Sequence, residues 1–135
     1  VLGHHNIRMI PVKEDMSHLF LVNEALDNNE IMSMPADRII GSAKSVTSVF
    51  MDAEARFPAG PLSVATMKGL DVLAVNVMKT SAKHYKVYVA RLSYDKQAPR
   101  RQQIQQLADS YVKELEHRVR QYPLQWFNFY DFWSR

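Results

Sequence analysis

The chain has 135 residues, is 47% hydrophobic and 23% charged, and carries a net charge of +3. That balance excludes intrinsic disorder and provides for one domain rather than two. The absence of cysteine excludes disulfides, a thiolate nucleophile and Cys-ligated metal centres, no apolar run reaches the roughly 18 residues of a spanning helix, and so small a charge implies neither nucleic acid nor membrane by itself.

Val1 opens the chain without an initiator methionine, and Val1 to Asn6 carries no turn or cap logic, so the chain reads as a fragment. Residues 7–12 read as a strand, with Pro11 marking its edge or end. Asp15 or Ser17 is placed to cap a helix over 16–28, where Met16, Leu19, Phe20, Val22, Asn23 and Leu26 recur at helical spacing. Asp27-Asn28-Asn29 is a stop signal. Glu30 to Met34 reads as a short buried strand ended by Pro35, followed by a polar stretch to Ser45. Val46 to Phe57 alternates as one extended arm, with Val49, Met51, Ala53 and Ala55 opposite Phe50, Asp52, Glu54 and Arg56.

Pro58-Ala59-Gly60-Pro61 is punctuation, and Pro61 suits the first turn of a helix over 61–69 with Leu62, Ala65 and Met67 inward and Gly69 at its end. Residues 71–78 are nearly continuously apolar, as in a strand covered on both faces. His84 to Leu92 alternates cleanly, Tyr85, Val87, Val89 and Arg91 against Lys86, Tyr88, Ala90 and Leu92. The strongest element is an amphipathic helix over 98–122, with Ile104, Leu107, Ala108, Tyr111, Val112, Leu115 and Val119 as its apolar stripe. An aromatic tail runs from Tyr122 to Trp133. This rhythm predicts an α/β fold: a mostly parallel sheet with crossover helices and a long C-terminal amphipathic helix. Residues 1–135 read as one domain or part of one.

The five histidines (His4, His5, His18, His84, His117) include no His-Glu-x-x-His motif and no pair four apart, so no metal site is expected. There is no Gly-x-Ser-x-Gly elbow and no Gly-rich phosphate loop. Asp37-Arg38 follows a predicted strand, where α/β sheets bind ligands and a guanidinium matches phosphate; the plainer reading is a loop ion pair. Arg56 to Pro61 offers backbone N–H groups to an anion, or is simply a strand-to-helix turn. Arg100, Arg101, Lys113, Arg118 and Arg120 alternate with Asp109, Glu114 and Glu116, which reads as a solvated helix face, and no nucleic-acid partner is expected. Trp126, Phe127, Phe129, Tyr130 and Trp133 form either a membrane-interface segment or a plug that folds back on the core.

The order of these pieces is specific. Asp37-Arg38 after a strand, Ala55-Arg56-Phe57-Pro58-Ala59-Gly60-Pro61 leading into a Leu-x-x-Ala helix, an apolar strand, and Tyr122-Pro-x-Gln-Trp-Phe-Asn-Phe with Trp133 resemble the late lipid A (lauroyl/myristoyl) acyltransferases, particularly those of Bacteroidetes-type bacteria, within the lysophospholipid acyltransferase superfamily. The resemblance covers about residues 7–133. It implies a bacterial enzyme of lipopolysaccharide synthesis that moves a fatty acyl chain from an acyl carrier protein or coenzyme A thioester to a lipid hydroxyl, with no cofactor, at the cytoplasmic face of the inner membrane, peripheral or anchored by an N-terminal segment. Such enzymes use His-x4-Asp/Glu, the histidine as general base. Here the fifth positions after the histidines are Met9, Ile10, Asn23, Val89 and Tyr122, so the chain reads as an incomplete acyltransferase domain, the C-terminal half, with no catalytic residue and inactive alone. By matching position Asp37 and Arg38 become acceptor or phosphate contacts, and Phe57, Pro58, Gly60 and Pro61 shape the pocket. Strands and apolar helix faces exposed in such a half would favour a homo-oligomer. The alternative is a non-catalytic α/β module that binds lipid head groups or a protein partner through its aromatic tail.

Overall fold

The computed structural model describes residues 6–12, 17–39, 44–129 and 132–133. The chain packs as two compact units, residues 1–34 and 35–135.

The first unit holds helix α1 (His18–Asp27), which buries Val22 and Ala25. Ser17 stands at its N-cap position but its side chain makes no cap hydrogen bond; Asp15 and Met16 lie outside the described residues. The stop at 27–29 has a clear physical basis. Asn29 takes a left-handed φ of 58°, and the N–H groups of Asn29 and Glu30 bond back to Leu26 and Ala25 carbonyls at 3.1 and 2.9 Å, the paired bonds of a Schellman motif. The expected strands at 7–12 and 30–34 do not form: both segments are irregular, with Met9 86% and Ile31 99% exposed. An apolar run becomes a strand only where a neighbour takes up its backbone hydrogen bonds, and among the described residues neither run finds one.

In the second unit β1 (Ser45–Phe50) pairs with β2 (Ala53–Pro58), helix α2 (Ala59–Met67) follows, β3 (Val72–Lys79) pairs with β4 (Tyr85–Leu92), and α3 (Arg100–Gln121) leads to a 3-10 turn, Pro123–Gln125. Both sheets are two-stranded and antiparallel, which corrects the expected mostly parallel sheet. The connections decide this. Only Met51 and Asp52 separate β1 from β2, and only residues 80–84 separate β3 from β4, whereas a parallel crossover needs a dozen or more residues.

The extended arm expected over 46–57 is therefore a hairpin. Met51 and Asp52 have φ of 53° and 66°, the left-handed pair of a tight primed turn. A two-residue turn reverses the alternation: Phe50 pairs with Ala53, Ser48 with Ala55 and Val46 with Phe57, so even positions of β1 and odd positions of β2 share the inner face.

Helix α2 starts and ends two residues before the predicted bounds, with the expected stop signal at Gly69 just beyond it. Gly69 has φ of 61°, and the Gly69 and Leu70 N–H groups bond to Thr66 and Ala65 carbonyls at 3.2 and 3.0 Å, a second Schellman stop. Leu62 and Ala65 are buried, while Met67, expected inward, is half exposed and Thr66 is buried instead.

The stripe of α3 forms as read and serves two cores. Val112, Leu115 and Val119 pack with Phe50, Ala55, Phe57 and Phe132, while Leu107 and Ala108 pack with Leu62, Ala65, Ala74 and Leu92. Val46 and Tyr111 touch both clusters. The β3–β4 hairpin buries Ala74 and Leu92 on its inner side, and Leu73, Val75 and Val77 on the outer side remain 57%, 59% and 57% exposed. Among the described residues, the two-sided cover expected for residues 71–78 is absent. No helix among the described residues is long and apolar enough to cross a membrane.

Candidate functional site

The β2–α2 junction gathers four of the residues singled out by sequence. Phe57 is fully buried, edge-on to Phe50 and Tyr111 at 6.2 Å and to Phe132 at 5.4 Å, so its ring stands behind the junction as core. Pro58 is the N-cap of α2, with extended backbone, and the next N–H, from Ala59, donates to the Lys44 carbonyl at 2.9 Å. Pro61 occupies the first turn, where its missing N–H costs nothing. Gly60 is exposed, and a Cβ there would meet nothing within 4 Å. Pro58 is itself buried, so the junction opens to solvent at Gly60, above a buried aromatic base.

Asp37 and Arg38 lie in the irregular segment ahead of β1. Burial pushes the Tyr111 hydroxyl well above the usual phenol range, and the negative charge of Asp37 adds to that rise. Since Tyr111 packs on Phe57, Asp37 is brought into electrostatic reach of the aromatic base of the junction. Arg56 points away from the core and donates twice to Ser45 Oγ, at 2.9 and 3.0 Å.

A second polar surface escaped the sequence reading because its parts are distant in the chain. Ser48 and Val49 of β1 face Asp109, Lys113, Glu116, His117 and Arg120 of α3 across an open groove of about 580 Å³. Ser48 Oγ donates to Asp109 Oδ1 at 2.7 Å, and Gln105 Nε2 donates to the same oxygen at 2.9 Å. The Met51 N–H donates to Glu116 Oε2 at 2.9 Å, and Arg120 Nε donates to Glu116 Oε1 at 2.8 Å. These donors, the Met51 N–H first and Arg120 second, hold the Glu116 carboxyl below its ordinary range. The available signal was the four-residue spacing of 109, 113 and 117 along one helix face.

Arg118 corrects the reading of α3 as a solvated basic face. It is only 6% exposed, donates to Glu114 Oε1 and Gln121 Oε1 at 2.6 Å each, and lies 3.6 Å over the Tyr88 ring. Tyr88 and Tyr122 share a hydroxyl hydrogen bond of 2.7 Å. That bond lowers the Tyr88 pKa, with Lys86 and Arg118 adding to the fall, and raises that of Tyr122.

The aromatic tail divides between two environments. Trp126, Phe132 and Trp133 close on Phe50 at ring distances of 5.2, 5.4 and 5.8 Å, and Trp133 Nε1–H donates to the Phe50 carbonyl at 3.0 Å. Phe127 and Phe129 point outward, 69% and 89% exposed. Tyr130 lies outside the described residues.

Neither His84 nor His117 hydrogen-bonds a carboxylate among the described residues; His84 Nδ1 pairs with Ser81 Oγ at 2.8 Å. No group of three His, Cys, Asp or Glu among those residues is placed to hold a metal ion. No curated protein and no solved structure matches the chain. The family model for bacterial lipid A biosynthesis acyltransferases, in contrast, matches residues 4–135. With the match spanning nearly the whole chain, the protein belongs to the bacterial lipid A biosynthesis acyltransferase family.

Proposed function

We propose that the protein transfers a fatty acyl chain from an acyl carrier protein or coenzyme A thioester to a hydroxyl of a lipid acceptor such as a lipid A precursor, working at the cytoplasmic face of the inner membrane. The family match over residues 4–135 carries this reading. In the reaction the acceptor oxygen attacks the thioester carbonyl carbon, the hydroxyl proton passes to a general base, and the C–S bond breaks to release a thiol that regains the proton. The base, a histidine held by a carboxylate, is supplied from outside residues 1–135, because no histidine here has Asp or Glu at its fifth following position. Asp37 and Arg38 contact the acceptor or its phosphate, and Pro58, Gly60 and Pro61 form the pocket wall against Phe57. The open face at Gly60 and the reach of Asp37 to Tyr111 support that grouping.

The test is acyl transfer by the intact protein, followed by thiol release with a lipid acceptor in detergent. Arg38→Ala is expected to slow turnover by about tenfold or more, the loss of one charge-assisted hydrogen bond. Unchanged turnover would remove Arg38 from the site, and transfer by residues 1–135 alone would overturn the external base.

A further inference from the structure

We propose that the outer face of the β3–β4 hairpin, together with the basic turn at its tip, docks the protein onto an anionic lipid bilayer. This rests on the lipid-acceptor reading and adds to it the element that meets the lipid surface. Val75 pairs with Val89 and Val77 with Val87, and with Leu73 they form one apolar face on which each side chain is 57% to 60% exposed. A contiguous exposed apolar patch of this kind marks an interaction surface. Its neighbours identify the occupant.

Between Val72 and Tyr94 there is no Asp or Glu, whereas Lys79, Lys83, Lys86 and Arg91 all fall there; Arg91, at the end away from the turn, is ion-paired with Asp71 at 3.1 Å. Lys79 shares the apolar face and pairs across the strands with Tyr85, itself 63% exposed; Lys83 sits in the turn beside them, while Lys86 faces the other side of the hairpin, 4.9 Å over the Tyr88 ring. Apolar side chains beside lysines and a tyrosine match the acyl boundary, phosphate layer and head-group depth of an anionic membrane. A second copy of the chain fits poorly. It would bring like charges together, and the free edge of β3 is already occupied at Lys79, whose N–H donates to Gln125 Oε1 and whose carbonyl accepts from Gln125 Nε2, both at 2.8 Å. That clamp also holds the start of the tail beside the basic tip, where Leu124 is 91% exposed.

Residues 1–135 contain no cysteine, so a position-specific test needs only that any cysteine elsewhere in the protein be replaced by serine. An environment-sensitive fluorophore on Val87→Cys of the purified intact protein is mixed with vesicles of phosphatidylglycerol and phosphatidylcholine in equal parts, or of phosphatidylcholine alone. A blue shift and quenching by brominated lipid are expected only with the anionic vesicles, and a label on Val49→Cys of β1 stays unchanged. Each cation near such a surface is worth about fivefold in partitioning, so changing Lys79 and Lys83 to Glu should weaken vesicle binding on the order of 25-fold or more. Acyl transfer to detergent-dispersed acceptor should be retained in that variant. A Val87 label insensitive to anionic vesicles overturns the proposal. So does one that shifts with protein concentration alone, which indicates a second copy, or one shielded from aqueous quenchers before lipid is added, which indicates cover by another part of the protein. Absence of acyl transfer in the wild-type protein would instead sink the enzymatic reading and leave the vesicle result standing.

Discussion

Phe50→Ala is the most demanding perturbation of this fold. Phe50 is fully buried, with Phe57, Trp126, Phe132 and Trp133 all within 6.2 Å by ring centroid. Truncating a buried phenylalanine costs about 3–5 kcal/mol, the transfer of the ring plus the cavity left behind. With four aromatic neighbours losing a partner, the expected loss is about 4 kcal/mol, a large share of the 5–15 kcal/mol typical of a domain. At roughly 4–8 °C per kcal/mol this lowers Tm by about 20 °C. Trp126 and Trp133 flank the deleted ring at 5.2 and 5.8 Å, so urea unfolding followed by tryptophan emission reads the site directly. Phe129→Ala, at a side chain 89% exposed, should change stability by less than about 0.5 kcal/mol. Equal losses from the two variants, or a loss below about 1 kcal/mol at Phe50, would refute the division of the aromatic tail into a buried and an exposed side.

Further predictions concern backbone, charge and pH. Gly69→Ala should cost about 1 kcal/mol in urea unfolding, because its φ of 61° is strained for any side chain although the space is open. Gly60→Ala, in the first turn of α2 with nothing within 4 Å, should raise stability by about 0.5 kcal/mol, and lower acyl transfer if the pocket wall is read correctly. Arg118→Met leaves Glu114, only 19% exposed, without its cation and should cost about 3 kcal/mol; a loss below about 1 kcal/mol would show that Glu114 is solvated. The folded-state pKa of Glu116 lies below its ordinary value, so its contribution is present above the unfolded carboxylate pKa of about 4.3 and is lost as pH falls through the folded value. Urea midpoints should therefore converge for wild type and Glu116→Gln in acid and separate, wild type higher, near neutrality.

Helices were readable from sequence where their signals are local. The three- and four-residue recurrence of α3 and the stops at Asn29 and Gly69 depend on neighbours within a turn or two. The candidate residues at the β2–α2 junction were found for the same reason, as a run of Pro and Gly between two elements. Strands were readable only in part. The pairing of β3 with β4 was implicit in the five residues between them, too few for any crossover, but an apolar run alone did not reveal whether both faces or one would be covered. The groove between β1 and α3 was invisible because Ser48 and Asp109 are far apart in sequence and meet only after α3 packs on the hairpin.

The order of motifs by itself determined family membership, the α/β content, the extent of the long helix and the lack of a carboxylate-paired histidine motif, since each is a matter of residue type and spacing along one chain. Only the tertiary structure decided that Met51-Asp52 turns the arm back and exchanges its inner and outer faces, that Arg118 is buried while its basic neighbours are not, and that the tail sends Trp126 and Phe132 inward but Phe129 to solvent. Those outcomes depend on which surface lies opposite each side chain, a property of packing between distant segments rather than of any local pattern.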